Sequence, residues 1–540
     1  MLWVYAALLA VPGPDSVIVV ASRLDLPSVA LAERYAAARQ LPDQQVCLID
    51  APLVEDVDFD TFKSAIVGGI AACTATYEDR IEAIVLARGL PLRVGIPGGG
   101  RVSMAAALAL GETTTATGAP VLGRRFNNRV NCGGGNMCDA AMWSNPYRSG
   151  VFGPDWTATT GQAIWHPKIV TMLHGRTYAD AAKLVASATT AEAIGGARGT
   201  FTLMSGADPA RGALDFQYGR VVTALRNLGF TDVEQVPFDA NRTGHTYAAF
   251  FTGTAGIGAS IEGNTFAPGA IVDNLTSYGA VAENFRDMGE SQVSIARWVA
   301  KGVAGVHGTT DEPLNNCFPQ RDLLVSYASG GTLGEAYFRA MPFVYWHNLV
   351  LGDPMAAPYA HRPRVTIGGV ADGETIDGSR QITVTATVPL EKLTLYVDGV
   401  EVASTGGNPI DVCAAIRAAP GQQILAVAQG TTEHHPKGWA AIRVTGRAGP
   451  SDCTMIEPPD AGVIGEPDAS APDASANDAS ANDASASADD AAVAPPLEPE
   501  GCTTAGGGSP WMSALSLIAW SRRRPTRAGR GSSPRPPGAG

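Results

Sequence analysis

The order of short apolar runs and helix-like segments is the feature of this chain that most restricts its fold. Residues 17–21, 46–49 and 81–87 are dominated by aliphatic side chains, which is typical of strands buried on both faces of a parallel sheet. The segments 29–41 and 59–72 between them carry apolar residues at helical spacing. Strand, helix, strand, helix, strand in this order predicts parallel βαβ units.

A second series of α/β units follows the Gly- and Asn-rich stretch 98–161. Helical periodicity marks 178–188 and 212–228 in this series. The predicted strands are 168–172, 200–204, 233–236, 248–252, 270–275 and 303–306. We therefore expect a mostly parallel sheet flanked by helices over 15–360, built as one large domain or as two similar halves, 15–165 and 166–360.

After residue 354 the pattern changes to short alternating segments separated by turn residues. Asp398-Gly399 lies between two of these segments and indicates a tight hairpin, because both central residues of that turn need positive φ. This pattern predicts a small β-sandwich of immunoglobulin-like type over 361–450.

Residues 451–500 form an acidic linker in which Asp-Ala-Ser recurs every five residues. Such a segment cannot bury enough apolar surface to offset its ordering entropy, so we expect it to be disordered. The whole chain has a net charge of -13, which gives no basic field for nucleic acid. The expected partner is a surface or extracellular ligand whose identity the sequence does not reveal.

Both ends of the chain suggest export. Residues 1–14 begin with an apolar run and predict a truncated signal peptide, or alternatively a lead-in to the first strand. In 501–540, Gly501 and Cys502 precede an apolar stretch, 511–520, and an arginine cluster. This order resembles the myxobacterial-type C-terminal sorting signal and implies a cell-surface or outer-envelope location with membrane or envelope anchoring; the alternative is a disordered basic tail. The eight cysteines would allow one or two disulfides in an exported protein.

Five segments resemble a known family in their order and spacing: 250–256, 269–279, 302–308, 331–336 and 351–354. They are similar to the latter half of the gingipain-type cysteine peptidases of the caspase clan, in which a β-sandwich also follows the Gly-Asp-Pro element. A bacterial secreted family of unassigned function on this fold is more similar still. It shares the turn 90–93 (Leu-Pro-Leu-Arg), an Asn-Pro-Tyr at 145–147, and the Glu-Pro and Gly-Asp-Pro elements.

The catalytic positions of the gingipain-type peptidases are not retained. That family has its catalytic His in a Gly-His-Gly and its Cys at the end of the next strand, and here Thr254 and Thr276 stand in these places. A threonine facing a threonine has no base to activate it. The resemblance therefore implies a degenerate site and a pseudopeptidase.

Other residues near this position are candidates for ligand contacts or for replacement chemistry. Ser277, Tyr278, Glu312 and Trp346 are expected to line a pocket, and His307 with Cys317 is the fallback for a catalytic Cys-His pair. No metal site or cofactor is predicted. The expected function is non-catalytic binding or a structural role, and the alternative is a divergent cysteine peptidase or another hydrolase acting outside the cytoplasm.

Overall fold

The structure, a computed structural model, describes residues 11–95, 101–109, 168–286, 292–313, 315, 318–342, 347–451 and 453. They form an α/β domain followed by a β-rich region. The predicted fold class, α/β with a large, mostly parallel sheet flanked by helices, is confirmed.

The strands of the α/β domain are short and mostly buried. In chain order they are β1 (Val17–Ser22), β2 (Val46–Ile49), β3 (Asp56–Val57), β4 (Ala83–Ala87), β5 (Arg93–Gly95), β6 (Arg101–Ser103), β7 (Ile169–Leu173), β8 (Thr200–Met204), β9 (Val233–Val236), β10 (Thr246–Thr252), β11 (Thr265–Asn274), β12 (Gly305–Thr309) and β13 (Asn348–Gly352).

Ten of these strands form one sheet in the order β2-β1-β4-β7-β13-β12-β11-β10-β8-β9. The pairs from β2 to β7 and from β12 to β9 are parallel, and β13 runs antiparallel to β12. The strands β3, β5 and β6 form a separate small sheet. Every residue of β1, β4 and β7 is buried, as expected for parallel strands covered on both faces.

Several helices begin at a residue whose side chain caps the first turn. Thr177 accepts a hydrogen bond from the Asp180 N–H at the start of one helix, and Gly195 ends it with φ 73°, the left-handed conformation that glycine adopts readily. Trp298, on another helix, is fully buried. The helices are α1 (Leu26–Arg39), α2 (Phe59–Thr61), α3 (Gly68–Thr74), α4 (Met104–Ala109), α5 (Tyr178–Ile194), α6 (Tyr218–Asn227), α7 (Ile295–Ala300), α8 (Leu323–Ala328) and α9 (Leu333–Ala340).

Segments that follow strands of both halves of the sheet lie together at one edge. Arg93 Nη1, in a segment that follows β4, donates to the Thr310 carbonyl that follows β12 (3.2 Å). In the β10–β11 pair, Thr252 is opposite Asn274. The segment after β11 crosses toward the other half of the sheet, where the Phe285 ring lies 4.4 Å from the His174 ring that follows β7. This edge is where α/β sheets commonly bind ligands.

Seven strands make up the β-rich region. They are β14 (Val365–Gly368), β15 (Thr375–Ala386), β16 (Leu390–Val397), β17 (Val400–Thr405), β18 (Ile410–Ala415), β19 (Gln422–Gly430) and β20 (Lys437–Ser451). The β16–β17 hairpin is confirmed, since Asp398 and Gly399 have φ of 49° and 71°. Its immunoglobulin-like classification stays a prediction.

Ion pairs join the β-rich region to the α/β domain. Lys437 Nζ lies 3.2 Å from Glu82 Oε2, and Arg362 Nη2 lies 3.3 Å from Glu192 Oε1. Lys437 and Arg362 are largely buried, so water screens these contacts little. The two regions are therefore docked directly onto each other.

Two disulfides connect segments that are distant in sequence. Cys47 in β2 is bonded to Cys73 in α3, and Cys413 in β18 is bonded to Cys453 after β20. Among the helices that the structure describes, none is both long and apolar enough to span a bilayer.

Candidate functional site

Thr254 and Thr276 lie at the carboxyl ends of two neighbouring strands, β10 and β11. Asn274 fixes the spacing between these ends, because its side-chain amide donates to the Thr254 carbonyl (3.0 Å) and accepts from the Thr254 N–H (2.9 Å). The two threonines are 2% and 4% exposed. The structure thus brings the two predicted degenerate positions together at the sheet edge, but with little access to solvent.

Each threonine hydroxyl is engaged in a local hydrogen bond. The Thr254 hydroxyl donates to the Gly256 carbonyl (2.6 Å), and the Thr276 hydroxyl donates to the Gln292 side-chain oxygen. Within the described part of the chain, neither hydroxyl has a hydrogen bond to an imidazole. A hydroxyl without a neighbouring base stays a weak nucleophile at neutral pH.

Gln292 accepts hydrogen bonds from several polar groups near Thr276. Its side-chain oxygen also accepts from the Ser277 N–H (3.1 Å) and from Arg211 Nη2 (3.3 Å). Arg211 is held in turn by Asp208, 2.7 Å away. An amide oxygen can accept these donors but takes no proton at neutral pH, so the arrangement is a fixed polar contact and not an acid–base pair.

The predicted pocket residues Ser277, Tyr278 and Glu312 are brought together. The Ser277 hydroxyl donates to Glu312 Oε1 (2.8 Å). Burial and the neighbouring Glu312 carboxylate raise the pKa of Tyr278. Tyr278 has φ 59°, an uncommon conformation for a bulky residue that costs about 1–3 kcal/mol and is found most often at functional sites. Trp346, the fourth predicted pocket residue, lies outside the described residues.

His307 is part of β12 and belongs to a buried polar network. Its side chain is 0% exposed, with Nδ1 3.0 Å from Asp273 Oδ2 and Nε2 2.9 Å from Asn348 Oδ1. Arg321 donates to the other oxygen of Asp273. Because both ring nitrogens are engaged, this geometry leaves His307 no nitrogen for a cysteine thiol. Cys317 lies outside the described residues, as do Gly501 and Cys502 of the predicted sorting signal.

A cavity of about 280 Å³ opens at the same edge of the sheet. Its wall combines residues that follow β1, β4 and β7 with the segment 282–286 that follows β11. Apolar and polar side chains contribute equally to this lining. The lining residues are Asp25, Leu53, Val54, Glu55, Arg88, Gly89, Leu90, Leu92, His174, Tyr178, Ala282, Phe285 and Arg286.

The charged groups of the cavity are already paired. Tyr178 donates to Asp25, and Arg286 Nε donates to Glu55 Oε1 (2.6 Å). Arg88 Nε donates to the Gly175 carbonyl (3.0 Å), and the guanidinium lies 4.7 Å from the Tyr178 ring centroid. These contacts hold the polar groups in place before any ligand arrives, which lowers the entropy cost of binding.

Sequence reasoning did not assign these residues to a pocket. The available signals were the His174-Gly175 dipeptide and the turn beginning at Arg88, which come within two residues of the ends of predicted strands. The carboxyl ends of parallel strands meet at one edge, so these residues could have been grouped. Nothing in the sequence indicated that Phe285 lines the cavity, because its position depends on the path of the chain after β11.

His174 gives a prediction for stability against pH. Burial, together with the Arg88 charge, lowers the pKa of His174 to about 3 from its usual 6.5. Stability from the neutral imidazole is therefore present above pH 6.5 and is lost as the pH falls from 6.5 toward 3. We expect the free energy of unfolding, measured with urea, to fall between pH 7 and pH 5. The fall should be about 2 kcal/mol larger for the unmodified protein than for a His174→Phe variant.

The same substitution at His361, whose side chain is exposed, is the matched control. The loss between the two pH values should be the same for His361→Phe as for the unmodified protein. An equal loss in His174→Phe would show that the His174 imidazole does not resist protonation in the folded state.

Glu335 and Asp353 each take part in a separate structural contact. Glu335 forms a capping box with Thr332 at the start of α9, and Asp353 Oδ1 accepts from the Tyr35 hydroxyl (2.9 Å). Among the described residues, no group of three or more His, Cys, Asp or Glu side chains is placed to hold a metal ion.

No protein-family model and no curated protein matches this chain. Similar solved structures include the complex of the pro- and mature domains of RgpB from Porphyromonas gingivalis, at 10% identity and a TM-score of 0.43, covering 79% of this chain and 100% of that chain. The Arg-specific cysteine proteinase gingipain R (RgpB) is similar at 10% identity and a TM-score of 0.40, over 80% and 98%. Fibronectin(III)-like modules of Clostridium thermocellum CbhA are 22% identical with a TM-score of 0.13, over 15% and 93%. Likeness of this kind carries no information about the chemistry of a site.

Proposed function

We propose that this chain is an exported, surface-displayed protein whose gingipain-like α/β domain binds a ligand and does not cleave peptide bonds. The observation that carries the proposal is the engagement of both threonine hydroxyls, Thr254 with Gly256 and Thr276 with Gln292. A peptidase needs a nucleophile beside a base. Here the group beside Thr276 is an amide, which cannot take its proton.

The cavity beside these strand ends supports the binding role. Its volume is about 280 Å³, near the lower end of the range for small-molecule sites. Apolar side chains such as Leu90, Leu92 and Phe285 would surround the body of a ligand, while Arg88 and Tyr178 stand beside them as polar anchors. The ligand that fits is a small molecule or side chain with an apolar body and one polar end.

Two disulfides support export. Cys47–Cys73 and Cys413–Cys453 are structural cross-links, and such bonds persist in oxidising compartments outside the cytoplasm. Together with the apolar segment at 1–14 and the predicted sorting tail at 501–540, they favour presentation at the cell surface or outer envelope.

The alternative function is a cysteine peptidase that uses Cys317 and His307. In the geometry described above, His307 would have to leave both Asp273 and Asn348 before it could activate a thiol. Breaking two buried hydrogen bonds, one of them to a carboxylate, is costly. This cost is the reason why we favour the binding function.

One experiment with two arms tests the proposal. Intact cells that make the full chain are treated with a membrane-impermeant biotinylating reagent, and the recovered protein is assayed for cleavage of a mixed fluorogenic peptide library. We expect the protein to be labelled on intact cells and to release no fluorophore above a no-protein blank. Iodoacetamide treatment should leave this result unchanged.

A Cys317→Ala variant is the control for the chemistry arm, and a cytoplasmic marker protein is the control for the labelling arm. Peptide cleavage that is lost both in Cys317→Ala and after iodoacetamide treatment would overturn the binding proposal in favour of the peptidase. Labelling that occurs only after cell lysis would overturn surface display.

A further inference from the structure

A second groove lies where the C-terminal end of α1 meets the strands β19 and β20. Its volume is about 410 Å³. It does not belong to the strand-end site, so an inference about it stands independently of the proposed function. The groove is lined by Glu33, Ala36, Ala37, Gln40, Leu41, Asp43, Val46, Asp372, Gln423, Ala441, Ile442 and Arg443.

The charges around this groove are predominantly negative. Three of its lining residues are acidic and one is basic, Arg443. Arg443 forms an ion pair with Asp43, in which Nη1 lies 3.0 Å from Asp43 Oδ2. The same Nη1 donates to the Gly421 carbonyl (3.1 Å). The carboxylates of Glu33 and Asp372 are exposed. Asp372 Oδ1 accepts a hydrogen bond from the Arg443 backbone N–H (2.8 Å), so its other oxygen and the Glu33 carboxylate are the acceptors that remain for a cationic ligand.

The pKa of Arg443 responds to these negative charges. A hydrogen bond to Asp43 raises its pKa, and the charges of Asp43, Asp398 and Asp372 add to this effect against the opposing influence of burial. The α1 helix has 14 residues and ends at the groove with Gln40 in the left-handed conformation. The negative end of its dipole therefore points to the same place.

Gln423 is a second and independent sign of a ligand. Its side chain is 4% exposed, and its Nε2 donates to the Gln40 carbonyl (3.0 Å). Its Oε1 has no hydrogen-bond partner among the described residues. Buried acceptors are nearly always satisfied in folded proteins, so a donor supplied by a bound molecule would complete this residue.

Six of the twelve lining residues are apolar, and we call them the floor of the groove. They are Ala36, Ala37, Leu41, Val46, Ala441 and Ile442. A metal ion would not use such a floor, whereas methylene groups would bury apolar surface against it. An ammonium group is a donor with three hydrogens, which suits both the carboxylates and the free amide oxygen.

We propose that this groove binds an alkylammonium group, a positively charged amine carried on an aliphatic chain. The methylene chain lies on the alanine and isoleucine floor, and the ammonium lies between Glu33, Asp372 and the Gln423 Oε1. Two sources offer this chemistry: a free diamine, and the lysine side chain of a peptide.

Isothermal titration calorimetry on the full chain tests the proposal, with 1,5-diaminopentane and N-acetyl-lysine-N-methylamide as the two probes and 1-pentanol as the uncharged control. We expect one saturable site for at least one amine, no binding of pentanol, and weaker binding as salt rises. Glu33→Gln and Asp372→Asn should each weaken that binding about fivefold, the loss expected for one partly screened charge contact.

Glu401→Gln is the matched control, because it removes an exposed carboxylate from β17 outside the groove. Its affinity should equal that of the unmodified protein. Binding of the diamine alone would identify a small-molecule ligand, and binding of the lysine derivative alone would identify a protein side chain. The proposal is overturned if neither amine binds. It is also overturned if Glu33→Gln and Asp372→Asn bind the amine as tightly as the unmodified protein and Glu401→Gln do.

Discussion

Replacing Arg321 with methionine is expected to lower the free energy of unfolding by about 3–5 kcal/mol, because it leaves a buried carboxylate without its counter-charge. Arg321 and Asp273 are both 0% exposed and paired. Burial alone would raise the pKa of Asp273, but the Arg321 charge and the contact with His307 outweigh it and hold the pKa below its usual value. The carboxylate is therefore charged at neutral pH, and urea unfolding at pH 7 measures the loss.

Arg220→Met is the matched control for this experiment. Arg220 pairs with Asp322 at 2.9 Å, but both side chains are more than half exposed, and such pairs contribute about 0–1 kcal/mol. If Arg321→Met costs no more than Arg220→Met, the buried pair does not hold the charge that we assign to it.

A double variant separates loss of the pair from loss of packing. The Nε and Nη2 atoms of Arg321 have no hydrogen-bond partner among the described residues, so the desolvation of its guanidinium is only partly offset. We therefore expect Asp273→Asn together with Arg321→Met to regain much of the stability that Arg321→Met loses alone. A further loss in the double variant would assign the effect to packing.

The sequence was informative where local patterns determine structure. The strands 46–49, 200–204 and 233–236 were predicted with the bounds that the structure gives. The β18 strand was missed. Asp411 and Cys413 are exposed alternate residues of this strand, and its pairing with β15 is a contact between distant parts of the chain that local sequence does not reveal.

The candidate site was only partly predictable for the same reason. The positions of Thr254 and Thr276 followed from the ends of two predicted strands. Gln292 accepts the hydrogen bond of the Thr276 hydroxyl. This role could not be predicted from the sequence, because glutamine is common on protein surfaces. The burial of His307 could not be predicted either. Two members of its polar network, Arg321 and Asn348, belong to later segments of the chain.

Replacing Lys437 with methionine is expected to lower the free energy of unfolding by about 3 kcal/mol by disrupting the contact between the β-rich region and the α/β domain. Lys437 is 6% exposed, and its Nζ lies 3.2 Å from Glu82 Oε2 and 3.3 Å from Ser16 Oγ. Asp15 Oδ1 is 3.5 Å from the same Nζ. Without the ammonium, two carboxylates would face each other in a largely buried place, where like charges repel strongly.

The pH dependence of this loss identifies its cause. Burial raises the pKa of Glu82 above its usual 4.5 even though Lys437 opposes the shift, and removing Lys437 raises it further. A carboxyl whose folded-state pKa is raised costs stability when it is ionised, so the penalty falls as acid protonates it. In urea unfolding we expect the difference between Lys437→Met and the unmodified protein to shrink between pH 7 and pH 5.

Lys392→Met provides the comparison within the same β-rich region, because Lys392 has an exposed side chain on β16. It should change stability by less than about 0.5 kcal/mol at either pH, as most surface substitutions do. A loss in Lys437→Met that stays constant with pH would point to packing of the methylene chain instead of charge. In that case the ion cluster formed by Asp15, Glu82 and Lys437 would not be what holds the two regions together.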